Sequence, residues 1–165
     1  MNLAKRISGK LNALTRQVAN MKAVDKRLLF QFQEITSLSK LFALMDVDCV
    51  FDIGANRGQY AKLLRSQVKY RGRILSFEPG PAPYNVLDWV SRNDSLWHTE
   101  QIALGEENGT ASLNVMALDV FNSIAKPGGD SKQFAQGQNV VKDTVEVRQE
   151  TLETAFLRLH KEFGF

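Results

Sequence analysis

At 165 residues, with 44% hydrophobic and 24% charged side chains, the chain has the makeup of one soluble globular domain rather than of a disordered or membrane-spanning protein. The net charge of +3 is uneven: residues 1–27 carry seven basic side chains against the single acid Asp25, and the remainder carries 14 basic and 17 acidic. The basic character therefore belongs to an N-terminal arm, which argues against a nucleic-acid-binding face on the domain. The lone Cys49 excludes an internal disulfide and a cysteine-based zinc site, no metal is expected, and the chain fits a reducing, cytoplasmic setting.

In the arm, Leu3, Ile7, Leu11, Leu14, Val18 and Met21 recur at steps of three and four, the spacing of an amphipathic helix. Such a helix is a cover or an oligomerisation seam, and the sharper alternative is a peripheral contact of residues 1–27 with an anionic membrane. A second helix is expected over about Lys26 to Leu44, packed onto a sheet through Leu28, Leu29, Phe32, Ile35, Leu38, Leu41 and Phe42. Residues 1–45 form an N-terminal helical segment on this reading, and 46–165 a second, partial domain.

From Val47 the pattern becomes strand–helix alternation. Strands are expected near 47–53, 72–78 and 96–103 and helices near 57–67 and 82–91, an order that implies a parallel sheet. Glu106-Glu107-Asn108-Gly109 signals a turn before the alternating stretch 111–116. A polar loop follows over 117–142, then a strand at Val145-Glu146-Val147 and a helix from Leu152 to Phe163. Trp89 and Trp97 read as core or sheet-flanking aromatics. His98 reads as a packed or edge histidine, and His160 as solvent-facing. Lys126 and Lys132 are loop residues whose prior is a solvated face.

Two short strands end in acids, Asp52 and Glu78, and the first runs into Gly54-Ala55-Asn56-Arg57-Gly58. Gly54 permits a sharp turn, Asn56 tolerates unusual dihedrals, and Gly58 lets the next helix approach closely. Asp52 stands at the carboxyl end of its strand, where ligands sit in open α/β sheets. Glu78 can accept both hydroxyls of a ribose. A dinucleotide G-x-G-x-x-G would need glycines at Asn56 and Gln59, and no G-x-x-x-x-G-K-[ST] is present. An acid beside the turn suits a cationic ligand, and S-adenosylmethionine, with its ammonium and sulfonium, is one.

The runs Val50-Phe51-Asp52-Ile53-Gly54-Ala55-Asn56-Arg57-Gly58, Phe77-Glu78-Pro79 and Ala103-Leu104-Gly105 resemble the FkbM family of S-adenosylmethionine-dependent methyltransferases. Asn122-Ser123-Ile124 and Val147-Arg148-Gln149-Glu150-Thr151-Leu152-Glu153 fall in the family's order, with Glu153 where the family usually has Asp. The resemblance spans roughly 46–155. It implies that Asp52, Gly54, Ala55, Asn56 and Gly58 line the methionine and ribose of S-adenosylmethionine, that Glu78 holds the ribose hydroxyls, and that Ala103 and Leu104 lie near the adenine. Asn122 and Ser123 would border the pocket.

The expected fold is thus α/β, a Rossmann-like methyltransferase sheet preceded by two helices. The family continues with further strands beyond the point where this chain stops, so the sheet is expected to be incomplete, its first strand left as an exposed edge open to self-association. The implied function is O-methyl transfer to a sugar or other small-molecule or glycan hydroxyl, weak or absent in a truncated chain, and no residue is nominated as catalytic base. The alternatives are a nicotinamide-dependent oxidoreductase fragment and a non-enzymatic, membrane-associated or oligomerising module.

Overall fold

The computed structural model describes residues 26–116, 124 and 141–165, with side chains from Gln33 onward. The expected first helix and most of the long polar loop, with Asn122, Ser123, Lys126 and Lys132, lie outside the described residues. Helix α1, Lys26–Met45, ends where Asp46 turns left-handed at φ 49° and the Val47 N–H bonds back to the Phe42 carbonyl. The chain divides within this helix into two compact units, Met1–Leu38 and Ser39–Phe165, and the second holds everything described below. Of the apolar face expected to pack, Leu41 is exposed, while Phe42 meets Tyr70 edge-on at 5.1 Å.

The second unit opens with β1 (Cys49–Ile53), α2 (Gln59–Leu63) extended by a π-helical turn over Leu64–Val68, β2 (Arg73–Phe77), α3 (Pro81–Ser91) and β3 (Trp97–Glu100). Pro81 occupies the first turn of α3, where its missing N–H would have had no helical partner. The three strands form a parallel sheet in the order β1-β2-β3, with Asp52 beside Ser76 and Ser76 beside Thr99. Only the central strand β2 is buried nearly throughout, as a strand covered on both faces must be. Its outward neighbour β1 has no second strand partner among the described residues, and Ile53 is 55% exposed.

The expected third strand breaks. Residues 97–100 stay in the first sheet, whereas β4 (Ala103–Gly105) joins a second sheet in the order β4-β6-β5, with β5 at Gly109–Met116 and β6 at Val141–Thr151. The break falls at Gln101-Ile102 because Ile102 dives into the core between β2 and the last helix, α4 (Leu152–Phe163). β4 runs parallel to β6, and β5 antiparallel to it. The strand expected at 145–147 is therefore the middle of an eleven-residue one, lengthened by its pairing along β5.

Alternation along β1 and β2 splits their side chains between two faces. Leu75 and Phe77 pack with Ile102, Ala155 and Leu159, joined by Phe51, Leu104 and Phe163, each fully buried large side chain contributing about 1.5–3 kcal/mol. Ala103, Leu113 and Val147 form the smaller core of the second sheet. Thr151 caps α4 by accepting the Thr154 N–H at 3.1 Å, and Gly164 ends it in the left-handed region.

A charged clamp ties the two sheets to α4. The Arg158 guanidinium donates to both Glu100 oxygens, at 2.7 and 2.6 Å, and to Glu150 Oε2 at 2.9 Å. Arg148 completes Glu150 and His98 reaches Glu100 at 3.2 Å. Burial alone would raise the Glu100 carboxyl, but the Arg158 and His98 bonds overcome it and hold it down at about 2.

Candidate active site

The loop after β1 is built from three left-handed residues, Gly54 at φ 76°, Asn56 at φ 48° and Gly58 at φ 79°. The Phe77 carbonyl accepts both the Gly54 and the Ala55 N–H, at 2.9 and 3.0 Å, which fastens the turn to the end of β2. The Gly58 N–H returns to the Ala55 carbonyl at 2.8 Å, and Gln59 reaches back to Asn56 Oδ1 and to the Arg57 N–H. Gln59, where a dinucleotide loop would need glycine, thus ties off the loop.

The two glycines serve different ends. A Cβ at Gly54 would meet nothing within 4 Å, so the backbone there faces open space. A Cβ at Gly58 would lie 2.8 Å from the Trp97 ring and 3.1 Å from Leu87. The close approach that Gly58 permits is therefore to protein, the indole of β3 and a leucine of α3.

Glu78, buried at the end of β2, accepts the Asn56 N–H on Oε2 and the Gly80 N–H on Oε1, each at 2.8 Å. It locks the glycine turn and the entry to α3 onto one carboxylate. Asp52 is 8% exposed, and its Oδ2 accepts the Ser76 hydroxyl at 3.1 Å. Among the described residues its Oδ1 accepts nothing. Burial raises the Asp52 carboxyl, and the Ser76 bond offsets only part of that. Such an acid is stabilised in its charged form by any cation brought beside it.

Asp52, Gly54, Ala55, Asn56, Gly58 and Glu78 thus gather at the carboxyl ends of β1 and β2. The side chains of Ala103 and Leu104 are committed elsewhere, Ala103 to the core of the second sheet and Leu104 to the cluster beneath α4. His98 packs its ring 4.9 Å from Phe163, and His160 lies exposed, stacked on Phe156. Trp97 is buried, but Trp89 is 68% exposed: it falls on the outer side of α3, away from the side that buries Leu87. Sequence reasoning missed Ser76, Gly80 and the linking role of Trp97. Only the register of Ser76 beside Asp52 could have signalled the first.

A parallel strand pair with an acid at each carboxyl end and a left-handed glycine turn between them belongs to a mixed α/β domain, an architecture compatible with a methyltransferase-like fold. The match of residues 52–165 to the methyltransferase FkbM domain makes that specific: the chain belongs to the FkbM methyltransferase family. Neither the curated proteins nor the solved structures compared with it gave a match.

Proposed function

We propose that this chain binds S-adenosylmethionine at the carboxyl ends of β1 and β2, in a Rossmann-like arrangement, for methyl transfer to a hydroxyl of a sugar, glycan or other small molecule. The observation that carries the reading is the buried Asp52 carboxylate, with Oδ1 accepting no bond among the described residues, beside a backbone turn open at Gly54. A cationic ammonium there would relieve the desolvation that raises the acid. The cofactor, when bound, supplies an electrophilic methyl group on sulfur.

The chain's own residues would do the holding. Asp52 would meet the cationic amino acid end, and Gly54 and Ala55 would offer close backbone approach. A carboxylate has about four acceptor sites, so the two amides on Glu78 are compatible with ribose hydroxyls as further donors. Rate enhancement in such a transfer comes mostly from bringing acceptor and methyl into near-attack geometry.

Calorimetry with S-adenosylhomocysteine and with NAD tests the reading. Binding of the first, lost in Asp52→Asn and Glu78→Ala, is expected; binding of NAD alone would overturn it. No helix among the described residues is long and apolar enough to cross a membrane. The reading includes a cytoplasmic setting and a peripheral contact of the basic arm, residues 1–27, with anionic membranes. The arm's charge and apolar spacing support that contact. Co-sedimentation with phosphatidylserine vesicles, abolished by deleting residues 1–24, checks it.

A further inference from the structure

Asp52 is held by a hydrogen-bonded row that crosses all three strands of the first sheet. The Trp97 indole N–H of β3 donates to Ser76 Oγ of β2 at 2.9 Å, and the Ser76 hydroxyl donates to Asp52 Oδ2 of β1 at 3.1 Å. All three residues are buried. The same indole ring lies against Gly58, where a Cβ would come within 2.8 Å of it. One side chain, Trp97, therefore underlies both the glycine turn and the acid.

Two features argue that the row does more than fill the core. A buried Ser76 hydroxyl has one proton, and Trp97, a donor only, occupies its oxygen. That leaves Asp52 as the partner that takes the Ser76 proton, so the direction of the row is set: indole to hydroxyl to carboxylate. Moreover, the row engages only Oδ2. It aims Oδ1 away from the Ser76 donor.

We propose that Ser76 and Trp97 are positioning residues of the cofactor site, which orient Asp52 so that Oδ1 is presented to the ligand. The proposal rests on the reading of Asp52 as the group that meets the cationic end of S-adenosylmethionine. Trp97 acts through Ser76, and through Gly58 it ties the height of the turn to the position of the acid. Hydrogen bonds to charged groups in buried rows reinforce one another.

Other ionisable groups border that face. Glu78 shares it on β2 and is bonded to the Asn56 and Gly80 amides. The loop and α2 bring Arg57, Tyr60 and Lys62, the last with its ammonium on the Arg57 carbonyl. Asp88 of α3 is paired with Arg92. Arg65 and Asp94 pair beside Gly72 and Leu96, at the opposite end of the strands. On β3 the residues sharing the face are Trp97 and Thr99, neither of them charged.

The test measures S-adenosylhomocysteine affinity by calorimetry between pH 5 and 8.5, alongside the Asp52 carboxyl titration by carbon NMR of the ligand-free protein. Ser76→Ala is expected to weaken binding about tenfold near neutral pH, the loss of one hydrogen bond to a charged group. It should also raise the pH at which Asp52 protonates and binding fades. Trp97→Phe should move both readouts in the same direction by a smaller amount, and Ser76→Thr, which keeps the hydroxyl, should restore them.

A merely structural role would lower thermal stability in Ser76→Ala and Trp97→Phe while leaving affinity and the Asp52 titration at wild-type values; that result overturns the proposal. Should Ser76→Ala fail to fold, Trp97→Phe and Ser76→Thr decide it by the same two readouts. A wild-type protein that binds no S-adenosylhomocysteine would instead overturn the cofactor reading, and the positioning roles with it.

Discussion

Replacing Arg158 with methionine should be the most damaging single change outside the glycine turn, and its cost should depend on pH. Arg158 is the sole basic side chain that joins Glu100 of β3 to Glu150 of β6 among the described residues. The side chain of Glu150 is 7% exposed and that of Glu100 15%. The Glu100 carboxyl sits at about 2 against an ordinary 4.5, a difference that corresponds to ~3 kcal/mol of stability at neutral pH. Solvent screening at Arg158, whose side chain is 35% exposed, brings this to about 2 kcal/mol. Stranding two buried carboxylates adds to the loss, so Arg158→Met should cost ~3 kcal/mol at pH 7.

The sign with pH follows from the depressed carboxyl. In the wild type its contribution is complete above about 4.5 and is lost as pH falls toward 2. In the variant the Glu100 carboxyl loses its Arg158 bonds while burial still raises it, so it protonates more readily as pH drops and the penalty relaxes. Urea unfolding at pH 7, 5 and 4 should therefore show the gap between wild type and variant closing as pH falls. A deficit below ~0.5 kcal/mol at pH 7, or one that stays constant down to pH 4, would refute the clamp as described.

The two glycines of the turn should separate cleanly. Gly58→Ala combines a left-handed φ with a Cβ 2.8 Å from the Trp97 ring, and urea unfolding should show a loss of about 2–4 kcal/mol; Gly54→Ala, with open space around it, should lose only ~1 kcal/mol. Thr151→Ala removes the cap on the Thr154 N–H, and should lower stability by ~1 kcal/mol, with serine restoring it. The Cys49 thiol is pushed up to about 11, first by burial and then by Asp48, so iodoacetamide should modify it slowly at pH 8 and faster as pH rises toward 11, whereas rapid labelling at pH 7 would contradict that environment.

Local pattern made much of this chain readable. The acids at 52 and 78 and the glycine turn between them each depend on residues adjacent in sequence, and strand–helix alternation places them at one end of a parallel sheet. The expected helices at 57–67 and 82–91 appear with shifted ends, the first closing in a π-helical turn. What could not be read was the break after Glu100. The stretch from Leu96 to Ala103 offers no glycine or proline at Gln101-Ile102, and the strand changes sheets only because Ile102 is drawn into the core beneath α4. Trp89 misled for a related reason: an aromatic on a helix carries no label saying which face will be covered.

The sequence alone determined which chemistry gathers at the strand ends, because a turn that needs left-handed residues and an acid that ends a strand are written in neighbouring positions. Tertiary structure alone decided what each group is for. Glu78 turned out to latch the Asn56 and Gly80 amides, Gly58 to make room for Trp97, and Ser76 to hold Asp52. Apart from Gly80, two residues beyond Glu78, these partners lie 20 or more residues apart, and only the register of three parallel strands brings them into contact.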